Sequence, residues 1–259
     1  MSEYVLQISD TFWNIRGEFK IGGVLNIGTH ASLAKRGNGK FLLLDAYTLK
    51  GEVKQQVDAL TKNGADIDAI INLHPFHTVH VKKAHQQYPN AKLYGTQRHL
   101  DKFPELPWQQ ELTESDEFAS LFEDDLEFSV PAGVDFISRN ENLHFSSVLA
   151  YHKASKTIHV DDTFMYLQLP GLLGKLKKPQ LSFHLTLAKT LEKRAGAVDD
   201  FRAWAQSLAE SWSNAENLCA AHSATLIGAE GQSESLANKI LVALQKVDKT
   251  LQKHQQKFG

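Results

Sequence analysis

His74-Pro75-Phe76-His77-Thr78-Val79-His80 is the stretch that decides how this chain is read. Three histidines at intervals of three follow directly on Asp66-Ile-Asp-Ala-Ile-Ile-Asn-Leu73, a run that reads as a buried strand. Behind the stretch, residues 78–88 (TVHVKKAHQQY) are expected to be helical, and Pro89-Asn90 turns the chain into AKLYGT, another strand. Strand, histidine loop, helix, strand is an arrangement that projects polar side chains from a sheet edge, where α/β folds place ligands and catalytic groups.

Working towards the N-terminus, residues 50–63 read as an amphipathic helix, with Val53, Val57 and Leu60 on one face and Gly64 as its stop. Residues 4–8, 12–15, 24–27 and 41–45 are short apolar runs punctuated by glycines, and Asn38-Gly39 before FLLLD marks a hairpin. The start is therefore a β-meander and not a Rossmann-type βαβ. His30 reads as a surface residue and an outside candidate for the site.

Working towards the C-terminus, 97–125 is irregular, and strands are expected at 126–137, 143–151 and TIHVDD. Helices are expected at 182–196, from Phe201 to about Leu218 with Asp199-Asp200 as cap, and at 234–257. Residues 163–190 read as core, oligomer contact or substrate lid, and their lysines suit an anionic substrate. Strands, one helix, strands, then helices suggest one domain, residues 1–259, built as a sandwich of two halves, each a sheet covered by helices.

The chain has 28 Lys+Arg against 30 Asp+Glu and a formal net charge of −2, which argues against a nucleic-acid binder. The one cysteine, Cys219, excludes an internal disulfide framework and is expected as a small buried hydrophobe at a helix end. The first residues, MSEYVLQISDTFW, show no secretory pattern, and no apolar run approaches the roughly 20 residues of a membrane span. These readings place the protein in the cytoplasm, away from membranes, acting on a small-molecule substrate, with a homo-oligomer open.

Further histidines and aspartates recur at strand ends: His144 before FSSVLAY, Asp161-Asp162 after TIHV, and His222 before ATLIG. Imidazole and carboxylate are the natural ligands of Zn²⁺, Fe or Mn²⁺, which bring bound water near neutrality in pKa. A lone histidine is more often structural than ligating; order and spacing carry the argument.

In that order and spacing the chain resembles the metallo-β-lactamase superfamily. FLLLDAY resembles the strand that ends in that family's Asp-Thr-Gly, with Asp45 at the Asp and Tyr47 at the Gly. The family loop reads His-x-His-x-Asp-His. Of two alignments, the one anchored on Tyr88-Pro89 puts His77 on the last His and His74 on the second. Asn72 then takes the first His position and Phe76 the Asp position. His144 resembles the next His, Asp162 the bridging Asp of Gly-Asp (Asp161 replacing the Gly), and His222 the late His of Gly-His-Gly.

The resemblance implies an αββα four-layer α/β sandwich of mixed sheets covered by helices. It implies a divalent metal, Zn first and Fe or Mn next, held by His74, His77, His144, Asp162 and His222. His80, Asn72 and Asp161 are additional candidates, and Asp162 and His77 the catalytic ones. One metal is expected rather than two, because Asn is a weak ligand and Phe none. The implied activity is a hydrolase in which a metal-bound hydroxide attacks an ester, thioester, amide or phosphodiester. The alternative is a binding or regulatory protein on a decayed catalytic scaffold. A third reading is a mononuclear redox or sulfur-handling member of the same superfamily.

Overall fold

The computed structural model describes residues 3–18, 20–21, 25–26, 28–167, 179–221, 224–228 and 234–259. The chain divides into two compact units, Met1–Phe128 with His152–Ser155, and Ser129–Tyr151 with Lys156–Gly259. Among the described residues no helix is long and apolar enough to cross a membrane.

The first unit holds β1 (Tyr4–Ser9), β2 (Phe12–Gly17), β3 (Lys20–Ile21), β4 (Leu25–Asn26), β5 (Thr29–Lys35), β6 (Phe41–Leu44), β7 (Ile67–Ile71) and β8 (Lys92–Tyr94). Its sheet runs β1-β2-β5-β6-β7-β8. The first strands form the expected antiparallel meander. Asn38-Gly39 turns β5 into β6: Gly39 takes the left-handed conformation (φ +84°), and Asn38 Oδ1 accepts the Lys40 N–H at 2.9 Å. From β6 onward pairing is parallel, and parallel neighbours need a crossover. Helix α1 (Gly51–Leu60) supplies the first, burying Val53 and Val57 against Ile15, Leu33, Leu43 and Ile70. It stops at Leu60 because Lys62, Asn63 and Gly64 all adopt positive φ. At Gly64 the ring of Tyr88 fills the space a Cβ would need.

Helix α2 (Val81–Gln87) supplies the second crossover and is shorter than the expected 78–88, because His74–His80 forms a turn closed by its own backbone bonds. Two short helices follow, α3 (Gln97–Lys102) and α4 (Asp116–Ser120).

The second unit carries β9 (Leu126–Ser129), in which the chain passes from one unit to the next, then β10 (Leu149–His152), β11 (Thr157–Val160), β12 (Phe164–Leu167), β13 (Gln180–Phe183), α5 (Leu187–Thr190), α6 (Ala197–Ser211), β14 (Asn217–Ala220), β15 (Thr225–Leu226) and α7 (Leu236–Phe258). The larger sheet runs β15-β14-β11-β10-β9, and β12-β13 form a separate hairpin. Helices α6 and α7 close its core around Phe145, Ile158, Phe201, Trp204, Leu218 and Ile240.

Several sequence expectations are corrected here. The strand expected at 126–137 stops at Ser129: Pro131 cannot donate to a ladder, and Gly133 (φ +71°) packs against the Ala197 carbonyl. The strand expected from His144 begins only at Leu149. Residues 182–196 are not one helix but the end of β13 and the single turn α5. Helix α6 starts at Ala197, after Gly196 in the left-handed region, so Asp199 and Asp200 sit in its first turn and do not cap it. It ends at Ser211, and Cys219 lies in β14, fully buried, with β14 parallel to β11. Four successive buried residues (NLCA) fit a two-sided buried strand as well as a helix end, and parallel pairing decided the matter. His30 is 2% exposed and not a surface residue; Asn14 Nδ2 lies 3.1 Å from its Nδ1.

Candidate functional site

In the first unit the candidate residues gather where β6, β7 and β8 end. The chain leaves β6 at Asp45, which has φ +59° and is 3% exposed. Its amide donates to the Ile71 carbonyl and its Oδ1 accepts the Leu73 N–H, both at 2.8 Å. Asp45 thus fixes the exit of β7, where the loop starts. Asn72 is clamped to β8: its backbone N–H (3.0 Å) and side-chain Nδ2 (2.8 Å) both donate to the Tyr94 carbonyl, and Thr113 Oγ1 donates to the Asn72 carbonyl. Asn72 Oδ1 is buried with no hydrogen-bond partner among the described residues.

His74 is fully buried. Its carbonyl accepts the His77 N–H at 3.0 Å, which winds the loop so that the two imidazoles stack with centroids 4.0 Å apart and planes 16° apart. Its Nδ1 accepts the Phe76 N–H at 3.1 Å. Phe76 points elsewhere, to the Arg98 guanidinium 4.6 Å from its ring centroid. Lys102 Nζ donates to Thr78 Oγ1 at 2.8 Å. His80 closes the loop: its Nδ1 lies 2.8 Å from Thr48 Oγ1 and its ring 4.8 Å from that of Tyr47. Burial lowers its pKa, helped by Lys50 and His77 and opposed by Glu3. His80 therefore serves as a tie between the loop and the segment after β6.

His99 is a buried histidine that the sequence reading did not single out. It is the third residue of α3, fully buried, and its Nδ1 accepts the Thr96 backbone N–H (3.2 Å) and lies 2.9 Å from Thr96 Oγ1. This is a capping box with histidine where Glu or Gln is usual. Burial pushes its pKa down to about 3, with His74, His77 and Arg98 adding to the effect and the His77 carbonyl opposing it. The Thr-x-x-His spacing just after AKLYG was the available signal.

In the second unit, β11 runs into Asp161 (1% exposed), Asp162 (3%) and Thr163 (0%). Thr163 Oγ1 donates to the Phe145 carbonyl (3.0 Å) and accepts the Ser147 N–H (3.1 Å). The segment after β11 is thereby tied to the one that carries His144. His144 is partly exposed, and its Nε2 donates to the Glu141 carbonyl at 2.5 Å. β11 and β14 are parallel with Val160 opposite Ala220. His222, two residues beyond β14, lies outside the described residues.

Two buried aspartates in succession need compensating donors or cations, because an isolated buried carboxylate costs several kcal/mol or more. His74, His77 and Asp162 carry donors that divalent metals take, and so, as a separate group, do His30, His159 and Asp161.

No family model matches the sequence, and no curated protein does. Solved structures do match. The DIM-1 metallo-β-lactamase exposed to ceftazidime aligns with TM-score 0.61 and 13% identity, over 95% of this chain and 98% of that one. The chain has the metallo-β-lactamase fold. The FIM-1 metallo-β-lactamase from Pseudomonas aeruginosa in its mono-zinc form gives TM-score 0.61 and 11% identity over 97% of each chain. The metallo-β-lactamase from Pontibacter korlensis gives 0.58 and 15%, over 94% of this chain and 99% of that one. At such identities the likeness establishes the αββα fold of mixed sheets with helices.

Proposed function

We propose that this chain is a metal-dependent, hydrolase-like protein that holds one divalent cation through its His74–His77 pair, with Asp162 the carboxylate ligand that the sequence resemblance implies. The observation that carries the reading is the His74–His77 pair, stacked on a loop that Asp45 fixes at its start. Two neutral imidazoles and one carboxylate suit Zn²⁺ first, then Fe or Mn²⁺. When bound, such a cation supplies Lewis-acid activation of water towards an ester, thioester, amide or phosphodiester in a small-molecule substrate.

The chain's own residues fit that group in kind and restrict its number. His74 accepts the Phe76 N–H on Nδ1, so its neutral ring carries the proton on Nε2. Ligation requires that bond to give way or that proton to leave. Asn72 and Phe76 stand where the family motif has a histidine and an acid; the amide is a weak ligand and the phenyl none. One cation follows; His144 and His222 are further ligands only by the sequence resemblance, His144 being bonded to the Glu141 carbonyl. Asp162 would be the carboxylate that orients the water, and His77 is the second residue of the chain proposed to take part in catalysis.

A second reading is a binding protein without a working metal. The Arg98 guanidinium over Phe76 favours it, because a fixed cation beside the loop opposes another. Thermal melting with and without chelator separates the two. A structural cation raises Tm and its removal lowers it by several degrees; His77→Ala abolishes that difference. Identical melting curves with and without chelator, in a preparation offered Zn²⁺, Fe²⁺ and Mn²⁺ in turn, sink the first reading.

A further inference from the structure

We propose that Arg98 and Lys102 form an oxyanion-binding pair beside the histidine loop, so that the ligand of this site carries a phosphate or carboxylate group. The two residues are four apart in α3, which puts them on one helix face. Each is seated on the loop at a residue next to His77. The Arg98 guanidinium lies 4.6 Å from the centroid of the Phe76 ring, and Lys102 Nζ donates to Thr78 Oγ1 at 2.8 Å. Two cations therefore stand at the two neighbours of one histidine. By the family resemblance Phe76 occupies the position of an acid. An acid there would bring a negative charge. This chain brings a neutral ring with a guanidinium on it, which turns that point of the loop from anionic to cationic.

The acids of this segment are engaged with other groups. Asp101 Oδ1 accepts the Gln97 Nε2–H at 2.7 Å, Glu114 Oε1 accepts the Gln97 backbone N–H at 3.0 Å, and Glu105 is paired with Lys82 at 2.6 Å. Among the described residues Lys102 makes no ion pair. Its ammonium has three donors, one of them on Thr78. Stacking uses a face of the Arg98 guanidinium and keeps its N–H groups in the plane in which oxyanions are bonded two at a time. Hydrogen bonds from such cations to an oxyanion are roughly twice as strong as neutral ones. Anion binding by this pair needs no metal. Only its description as a substrate contact rests on the reading of His74 and His77 as ligands of a hydrolytic centre. An anion held there also offsets the repulsion that Arg98 exerts on a cation at the loop.

The test titrates inorganic phosphate and, separately, acetate into protein stripped of metal and then freed of chelator, at low ionic strength so that screening is small. Saturable binding of one anion per chain is expected, and the tighter of the two names the group. Affinity should fall about tenfold or more in Arg98→Met and in Lys102→Met, which keep the aliphatic stem and lose the charge. It should stay within about threefold of wild type in Lys102→Arg, which keeps the charge, and in Lys253→Met, which removes an exposed charge on α7. No saturable binding of either anion by wild type, or an affinity that either of the Arg98→Met and Lys102→Met substitutions leaves unchanged, overturns the proposal. Should one of these variants fail to fold, the ¹H–¹⁵N spectrum of wild type decides. Movement of the Arg98 Nε–H and of the Thr78 and Lys102 amides on adding anion supports the pair, and movement confined to other residues overturns it. Binding that appears only after zinc loading assigns the anion to the metal and overturns the pair. Failure of the metal reading is seen separately, as melting curves that chelator does not change, and leaves the result of the anion titration standing.

Discussion

Acidification should destabilise this fold through His99 in a way that one substitution removes. The ring is fully buried and its pKa is pushed down to about 3, whereas in the unfolded chain it titrates near 6.5. A base with a depressed folded pKa contributes its full stability above the unfolded pKa. It loses that stability as pH falls from about 6.5 towards about 3, because the unfolded state binds the proton first. At pH 5 nearly all unfolded chains carry that proton and almost no folded ones do, which corresponds to a loss of about 2 kcal/mol between pH 7 and pH 5. Burial lowers the pKa of His80 and His152 as well, so they add loss of the same sign. The assay is urea unfolding of wild type and His99→Gln at pH 7 and pH 5. Glutamine can keep the Thr96 contact but does not titrate, so its pH-independent cost cancels in the double difference. The wild type should lose about 2 kcal/mol more than the variant. Equal losses would refute the burial argument, since they would mean that His99 is charged in the folded protein at pH 5 or solvated there.

Asp45 should prove to be a strut whose charge matters less than its geometry. Asp45→Ala strands the Leu73 N–H and puts alanine at φ +59°, at a cost of about 2–4 kcal/mol by denaturant unfolding, while Asp45→Asn, which tolerates that φ and keeps an Oδ1 acceptor, should cost below about 1 kcal/mol. Gly64→Ala should cost about 2–4 kcal/mol in the same assay. It meets the Tyr88 ring at φ +84° and disturbs the 2.9 Å bond from Tyr88 Oη to Asp58. An Asp45→Asn cost as large as that of Asp45→Ala, or a neutral Gly64→Ala, would contradict these assignments.

The parts of the fold that announced themselves in sequence are those whose chemistry is local. Asn38-Gly39 named its hairpin because glycine is at home at φ +84°, and Val53, Val57 and Leu60 named α1 by spacing. The parts that misled are those decided by distant pairing. NLCA reads equally as helix or strand until its neighbour β11 is known, and LEFSVPAGVDFI looks continuous until Gly133 is seen against Ala197. Among the candidate residues, His74, His77 and Asp162 stood out in sequence because they keep a recurrent order along strand ends. His99 did not, because its role comes from a six-residue helix packed behind the loop, and its capping motif carries histidine in the usual acid's place. The stacking of Arg98 on Phe76 was equally hidden, since nothing in either residue's neighbours in sequence points to the other.

Elemental analysis of the purified chain after equilibration with Zn²⁺ and removal of free ion tests the metal site most directly. One zinc per chain, falling to near zero in His77→Ala and in Asp162→Ala, is the predicted result. No zinc in wild type, or an occupancy that neither substitution changes, would contradict it.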